Sequence, residues 1–197
     1  MFVQIIQGRA KDAAGLRKQM ERWQQDLAPG ATGFLGATAG VADDGEFIAL
    51  ARFESEEAAR RNSDRPEQGE WWAETAKYLE GEPTFHDCTE VDTLLRGGSD
   101  DAGFVQVIQG RATDENRLRE TLAQGESRLP EVRPDLIGGI TARHDDGSFT
   151  EVAYFTSETA AREGEKRMEQ EGDGPEWQSL VTDIRFIDLR DPWLYSP

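Results

Sequence analysis

Apolar and polar positions follow one another along this chain with periods that change in a set order. Residues 2–7 read as a strand, and Leu16, Met20, Trp23 and Leu27 then fall at i, i+4, i+7 and i+11, an apolar stripe on a helix that Asp12 is placed to cap. Residues 34–41 and 47–53 are apolar runs on either side of Asp43-Asp44-Gly45, and an Asp-Gly pair between two such runs predicts a hairpin. Ser55-Glu56-Glu57 opens a second helical region with a cap and acids in its first turn. Residues 85–91 close the series as a further strand.

The whole series then occurs again. Phe2-Val-Gln-Ile-Ile-Gln-Gly-Arg-Ala10 returns at an offset of 102 as Phe104-Val-Gln-Val-Ile-Gln-Gly-Arg-Ala112, and Asp145-Asp146-Gly147 and Phe155, Ser157 and Glu158 follow at the same offset. This is a duplicated domain rather than a solenoid of short units. The boundaries predicted are residues 1–95 and 103–197, joined by a polar, glycine-rich linker over 96–102. The element order β-α-β-β-α-β makes the fold class α+β, with two ferredoxin-like units, each a four-stranded antiparallel sheet carrying both helices on one face. Two such sheets in tandem are expected to cover each other, the second copy serving as the partner that a single copy would find in another chain.

Composition narrows the chemistry. The 197 residues carry a net charge of −17, which argues against a nucleic-acid surface, because such surfaces neutralise phosphates with Lys and Arg. No apolar run is long enough for a membrane span, and no basic stretch leads into an apolar segment at the N-terminus, so a cytoplasmic protein is expected. One cysteine allows no internal disulfide, and two histidines beside it are too few for a structural zinc site. Glycine-rich phosphate loops, dinucleotide fingerprints and Gly-x-Ser-x-Gly elbows are all missing from the sequence.

Between the copies, residues that agree read as scaffold and polar or aromatic residues present in one alone read as candidates. Trp72 aligns with Trp177 and is expected in the core, whereas Trp71 aligns with Glu176 and points about 100° away, either exposed or lining a cavity. His86 and Cys88 replace Ile187 and Leu189 on what alternation makes an apolar strand face. A buried setting is expected for both: His86 reads as a hydrogen-bonded core histidine or as a base, and Cys88 as a small buried apolar residue. Asn62 reads as turn chemistry in Asn62-Ser-Asp-Arg-Pro66 or as an amide that orients a ligand. Gln4 and Gln7 recur on opposite faces of the first strand and need partners there; one of them is placed to face a ligand. His144, beside the second Asp-Asp-Gly turn, is expected to be exposed and takes no role.

The element order, the Phe53-Glu-Ser-Glu-Glu-Ala-Ala59 entry to the second helix and the helix-rich segment before the last strand resemble the dimeric α+β barrel superfamily, within it the antibiotic-biosynthesis-monooxygenase-like domains. The resemblance covers nearly the whole chain as a fused pseudo-dimer. It implies a cavity that binds a small hydrophobic or aromatic molecule, with a cofactor-independent monooxygenase as the leading activity, no cofactor and no metal. The site expected is a single pocket in the N-terminal half with His86 as base and Trp71, Asn62 and Gln7 against the substrate. A non-catalytic ligand-binding or structural pseudo-dimer is the alternative, and haem binding or degradation through His86 is a third reading. The protein is expected as a monomeric pseudo-dimer or as a homodimer of pseudo-dimers.

Overall fold

A computed structural model describes residues 1–170 and 176–196. In the first unit, β1 (Phe2–Ala10) leads into α1 (Ala13–Arg22), whose N-terminus is capped as predicted: Asp12 Oδ1 accepts from the Gly15 amide at 3.0 Å. The apolar stripe continues through a π-helical turn, Trp23–Leu27. Strands β2 (Phe34–Val41) and β3 (Glu46–Phe53) pair antiparallel through the predicted hairpin, where Gly45 takes φ 88°, a region that side chains other than glycine enter only at a cost. Ser55 caps α2 (Glu56–Ser63), and Pro66 occupies the first turn of α3 (Pro66–Thr75), where its missing N–H leaves no hydrogen bond unmade. β4 (Leu79–Cys88) returns beside β1.

β5 (Val91–Leu95) is a separate strand rather than the end of β4. The second unit then repeats the order as β6 (Phe104–Ala112), α4 (Glu115–Glu126), the short α5 (Leu129–Val132), β7 (Leu136–Arg143), β8 (Ser148–Phe155), α6 (Glu158–Gln170), a 3₁₀ turn over Glu176–Leu180 and β9 (Val181–Leu189). The registers correspond: Phe2 faces Phe53 across β1 and β3, and Phe104 faces Phe155 across β6 and β8.

Each sheet has five strands, where the sequence predicts four. Their orders are β10-β2-β3-β1-β4 and β5-β7-β8-β6-β9, with β10 (Trp193–Tyr195) near the C-terminus. One compact unit is residues 1–91 with the segment that begins at Asp191, and the other is residues 92–190, which takes in the expected linker. The physical reason is the edge: β2 and β7 would each present a row of open N–H and C=O groups, and a short added strand closes that row.

Alternation divides each sheet into two faces. In the first unit, Phe2, Ile6, Phe47, Ala49 and Phe53 point toward the helices, forming two apolar clusters with Ala58 and Ala59 of α2 and Leu16 of α1. Val3, Ile5, Ile48 and Leu50 point to the other face. In the second unit, Ile108, Phe149 and Val181 meet Leu118 of α4 on the helical side, and Phe104, Ala153 and Phe155 meet Ala161 of α6.

Candidate functional site

The residues predicted for the first unit do not converge. His86 stands directly across from Ile5, and Gln7 across from Thr84, so His86, Cys88 and Gln7 share the face that turns away from the helices. Trp71 belongs to α3 on the opposite side, where its Nε1 donates to the Gln19 carbonyl at 2.8 Å and its ring lies 6.3 Å from Trp23 and 5.9 Å from Trp72. The sheet separates Trp71 from His86, so base and aromatic wall cannot act on one substrate there.

Each has a structural occupation instead. Trp71 is 6% exposed and Trp72 is half-buried, the reverse of the expected order; Trp72 packs edge-on against Phe85 at 5.3 Å. The side chain of Glu176, aligned with Trp71, lies outside the described residues. Asn62 Oδ1 accepts from Arg65 at 2.9 Å, and the same guanidinium nitrogen reaches the Leu27 carbonyl at 3.0 Å, which ties the α2–α3 corner to the end of the π turn. Gln7 Nε2 donates to the Glu46 carboxylate, and Gln4 to Asp87 at 2.8 Å. Cys88 is buried as expected, whereas His86 is only half-buried, because β4 runs along the sheet's edge.

A cavity of about 40 Å³ lies in the second unit, between the helical face of the sheet and α4. Its base is formed by Thr141 and Arg143 of β7 with Phe149 and Glu151 of β8; Leu118 and Leu122 of α4, Trp177 and Val181 form its walls. Register puts Glu151 there: it pairs with Thr141 on one side and with Ile108 on the other, and Ile108 belongs to the cluster under α4. This cavity lies in the C-terminal half, whereas the sequence places the pocket in the N-terminal half.

Glu151 is the chemically distinctive group. Its side chain is half-buried, and it has no hydrogen-bond or ion-pair partner among the described residues. Loss of water around the carboxyl pushes its pKa up to about 7, since nothing nearby compensates the charged form. A carboxyl in this state is populated in both protonation forms at neutral pH, the condition for accepting and returning a proton.

Charge at the cavity rim is arranged around Arg143. Its Nε lies 2.9 Å from Glu115 and its Nη2 2.6 Å from Asp92 of β5, while Nη1 is buried without a hydrogen-bond partner. His144 is half-buried rather than exposed, with Nε2 3.0 Å from Thr150 Oγ1, and it contributes to the cavity lining.

The corresponding place in the first unit is filled. At the offset of 102, Leu118, Thr141, Phe149, Glu151 and Val181 correspond to Leu16, Ala39, Phe47, Ala49 and Leu79. Those five form one buried cluster with Trp193, which pairs with Ala39 and holds its ring 6.3 Å from Phe47. Reasoning directed at polar residues peculiar to the first copy misses Glu151. Its signal is the same comparison run the other way: a carboxylate in mid-strand where the first copy has alanine.

Solved structures resemble the chain over almost its whole length. A proposed monooxygenase from Lactobacillus acidophilus superposes with a TM-score of 0.73 at 13% identity, over 99% of this chain and 96% of that one. A proposed monooxygenase from Fusobacterium nucleatum gives 0.73 at 8% identity over 99% and 94%, and an anthrone oxidase-like protein gives 0.64 at 10% over 99% and 89%. No protein-family model and no curated protein matches the sequence. The chain therefore shares the α+β, ferredoxin-like fold of these solved structures, and at these identities the likeness concerns fold alone. Among the described residues, no helix is long and apolar enough to cross a membrane.

Proposed function

We propose that the chain binds a small aromatic molecule in the cavity of the second unit and oxygenates it without a cofactor, Glu151 acting as general base. The observation that carries this reading is an unpaired carboxyl of pKa about 7 facing a cavity walled by Trp177, Phe149 and leucines. Structural neighbours named as proposed monooxygenases and as anthrone oxidase-like support it.

The chemistry asks little of the protein. A phenol with a free para position, such as 1-naphthol, gives its hydroxyl proton to the Glu151 carboxylate, and the electron-rich phenolate passes one electron to dioxygen. Recombination forms a C–O bond at the para carbon, and the peroxide anion takes back the proton held by Glu151, restoring the carboxylate. The hydroperoxide then loses water, taking the para hydrogen as a proton, and leaves the quinone: one oxygen atom enters the product and the other leaves as water. The substrate supplies all the electrons. Apolar walls exclude bulk water, which lowers the cost of transferring the proton to a carboxylate already poised near neutrality.

Oxygen uptake and quinone formation with 1-naphthol test the reading. Glu151→Gln is expected to lower kcat by at least about tenfold, the scale of a lost general base, while His86→Ala retains the rate. The converse pattern, with His86 required and Glu151 dispensable, would return the site to the first unit. Wild-type kcat/KM is expected to rise with pH through about 7, as Glu151 ionises.

A further inference from the structure

At the place where the second unit has its cavity, the first unit is filled by a side chain of the chain's own added strand. Strand β10 adds to the edge of β2 with Trp193 opposite Ala39 and Tyr195 opposite Ala37, so both side chains turn to the helical face. Trp193 is 6% exposed, in one cluster with Leu16, Ala39, Phe47, Ala49 and Leu79. Alanines at 39 and 49 leave room for the indole. Their second-unit counterparts, Thr141 and Glu151, instead border an open cavity, and Asp92 of the added strand β5 pairs with Arg143 and Arg119.

We propose that Trp193 is a tethered ligand: the chain's last strand occupies, in the first unit, the aromatic site that stays open to an external molecule in the second. The inference rests on the second-unit cavity being a ligand site, and it deepens that reading by giving the ligand a shape and a contact. A flat bicyclic ring system lies where Trp193 lies in the first unit, over Phe149 as Trp193 lies near Phe47. Because Glu151 takes the place of Ala49, the external ring carries an N–H or O–H on that edge, whereas the first-unit site, with Ala49 there, asks for no polar hydrogen. The duplicated chain thus has two related sites, of which one serves external molecules.

Calorimetric titration with indole counts the sites, and soaked crystals locate them. Wild type is expected to bind one indole, in the second unit, and Trp193→Gly two, the second molecule lying in the emptied first-unit site. A crystal or titration showing one site in Trp193→Gly and none in wild type would uphold the tethered ligand while removing the second-unit cavity as a ligand site. If Trp193→Gly binds no more indole than wild type, the inference is overturned, and the wild-type result alone then judges the second-unit cavity. Trp193→Ala repeats the count in case the glycine variant does not fold. Indole should also raise the melting temperature of either variant more than that of wild type, and an equal rise in all three would contradict the proposal.

Discussion

At the residue scale, the account turns on how tightly Glu151 holds its proton. Its carboxyl has a pKa of about 7 in the folded chain, against an ordinary value of 4.5. The folded state therefore retains a proton that the unfolded chain releases across this interval, and the stability that goes with it is full below the lower value and lost as pH rises through the upper one. The shift corresponds to about 3 kcal/mol, on the conversion of about 1.4 kcal/mol per pKa unit. Glu151→Gln removes the cost of ionisation, so urea unfolding should show it more stable than wild type by roughly that amount at about pH 8 and little different at about pH 4. An equal difference at both values would mean that Glu151 is not desolvated. The first-copy candidates give the contrasting case. Gln7 reads from the sequence as an amide needing a partner and finds it in Glu46, and Asn62, read as turn chemistry or a ligand-orienting amide, is held by Arg65 at the α2–α3 corner.

At the scale of elements, much was legible because local chemistry determines it. Asp12 and Ser55 cap the helices that the periodicity predicts, and the Asp-Gly turns carry their glycines at φ 88° and 81°. Replacing Ser55 with alanine should cost about 1 kcal/mol in unfolding measurements, the usual value of a helix cap. The added edge strands were not legible, because β10 has only three residues and its pairing with β2 joins positions far apart in the chain. Nothing in the local pattern of Trp193-Leu194-Tyr195 names Ala39 as a neighbour. Ending the chain at Arg190 removes that strand with its buried indole, and the first unit should lose about 3–5 kcal/mol, the range for truncating a large buried aromatic. Unchanged thermal unfolding would show that β10 contributes nothing to the fold.

At the scale of the molecule, duplication made the architecture readable and the site easy to misplace. The repeat establishes the element order twice, and differences between copies mark where the units diverge. The divergence works in both directions: the first copy gained Trp71 and His86, on opposite sides of its sheet, and the second gained Glu151 and Arg143 around a cavity. Which of the two differences makes a site depends on strand register and on what fills each helical face, and neither is written in one copy alone. The net charge of −17 acts on the whole chain as self-repulsion, so the melting temperature should rise as sodium chloride is added from low ionic strength, through screening. The most direct test of the central claim is a crystal structure with 1-naphthol. The ring is expected in the second unit between Phe149 and Trp177, its hydroxyl within hydrogen-bond distance of Glu151; a ring bound elsewhere, with that cavity empty, would contradict the account.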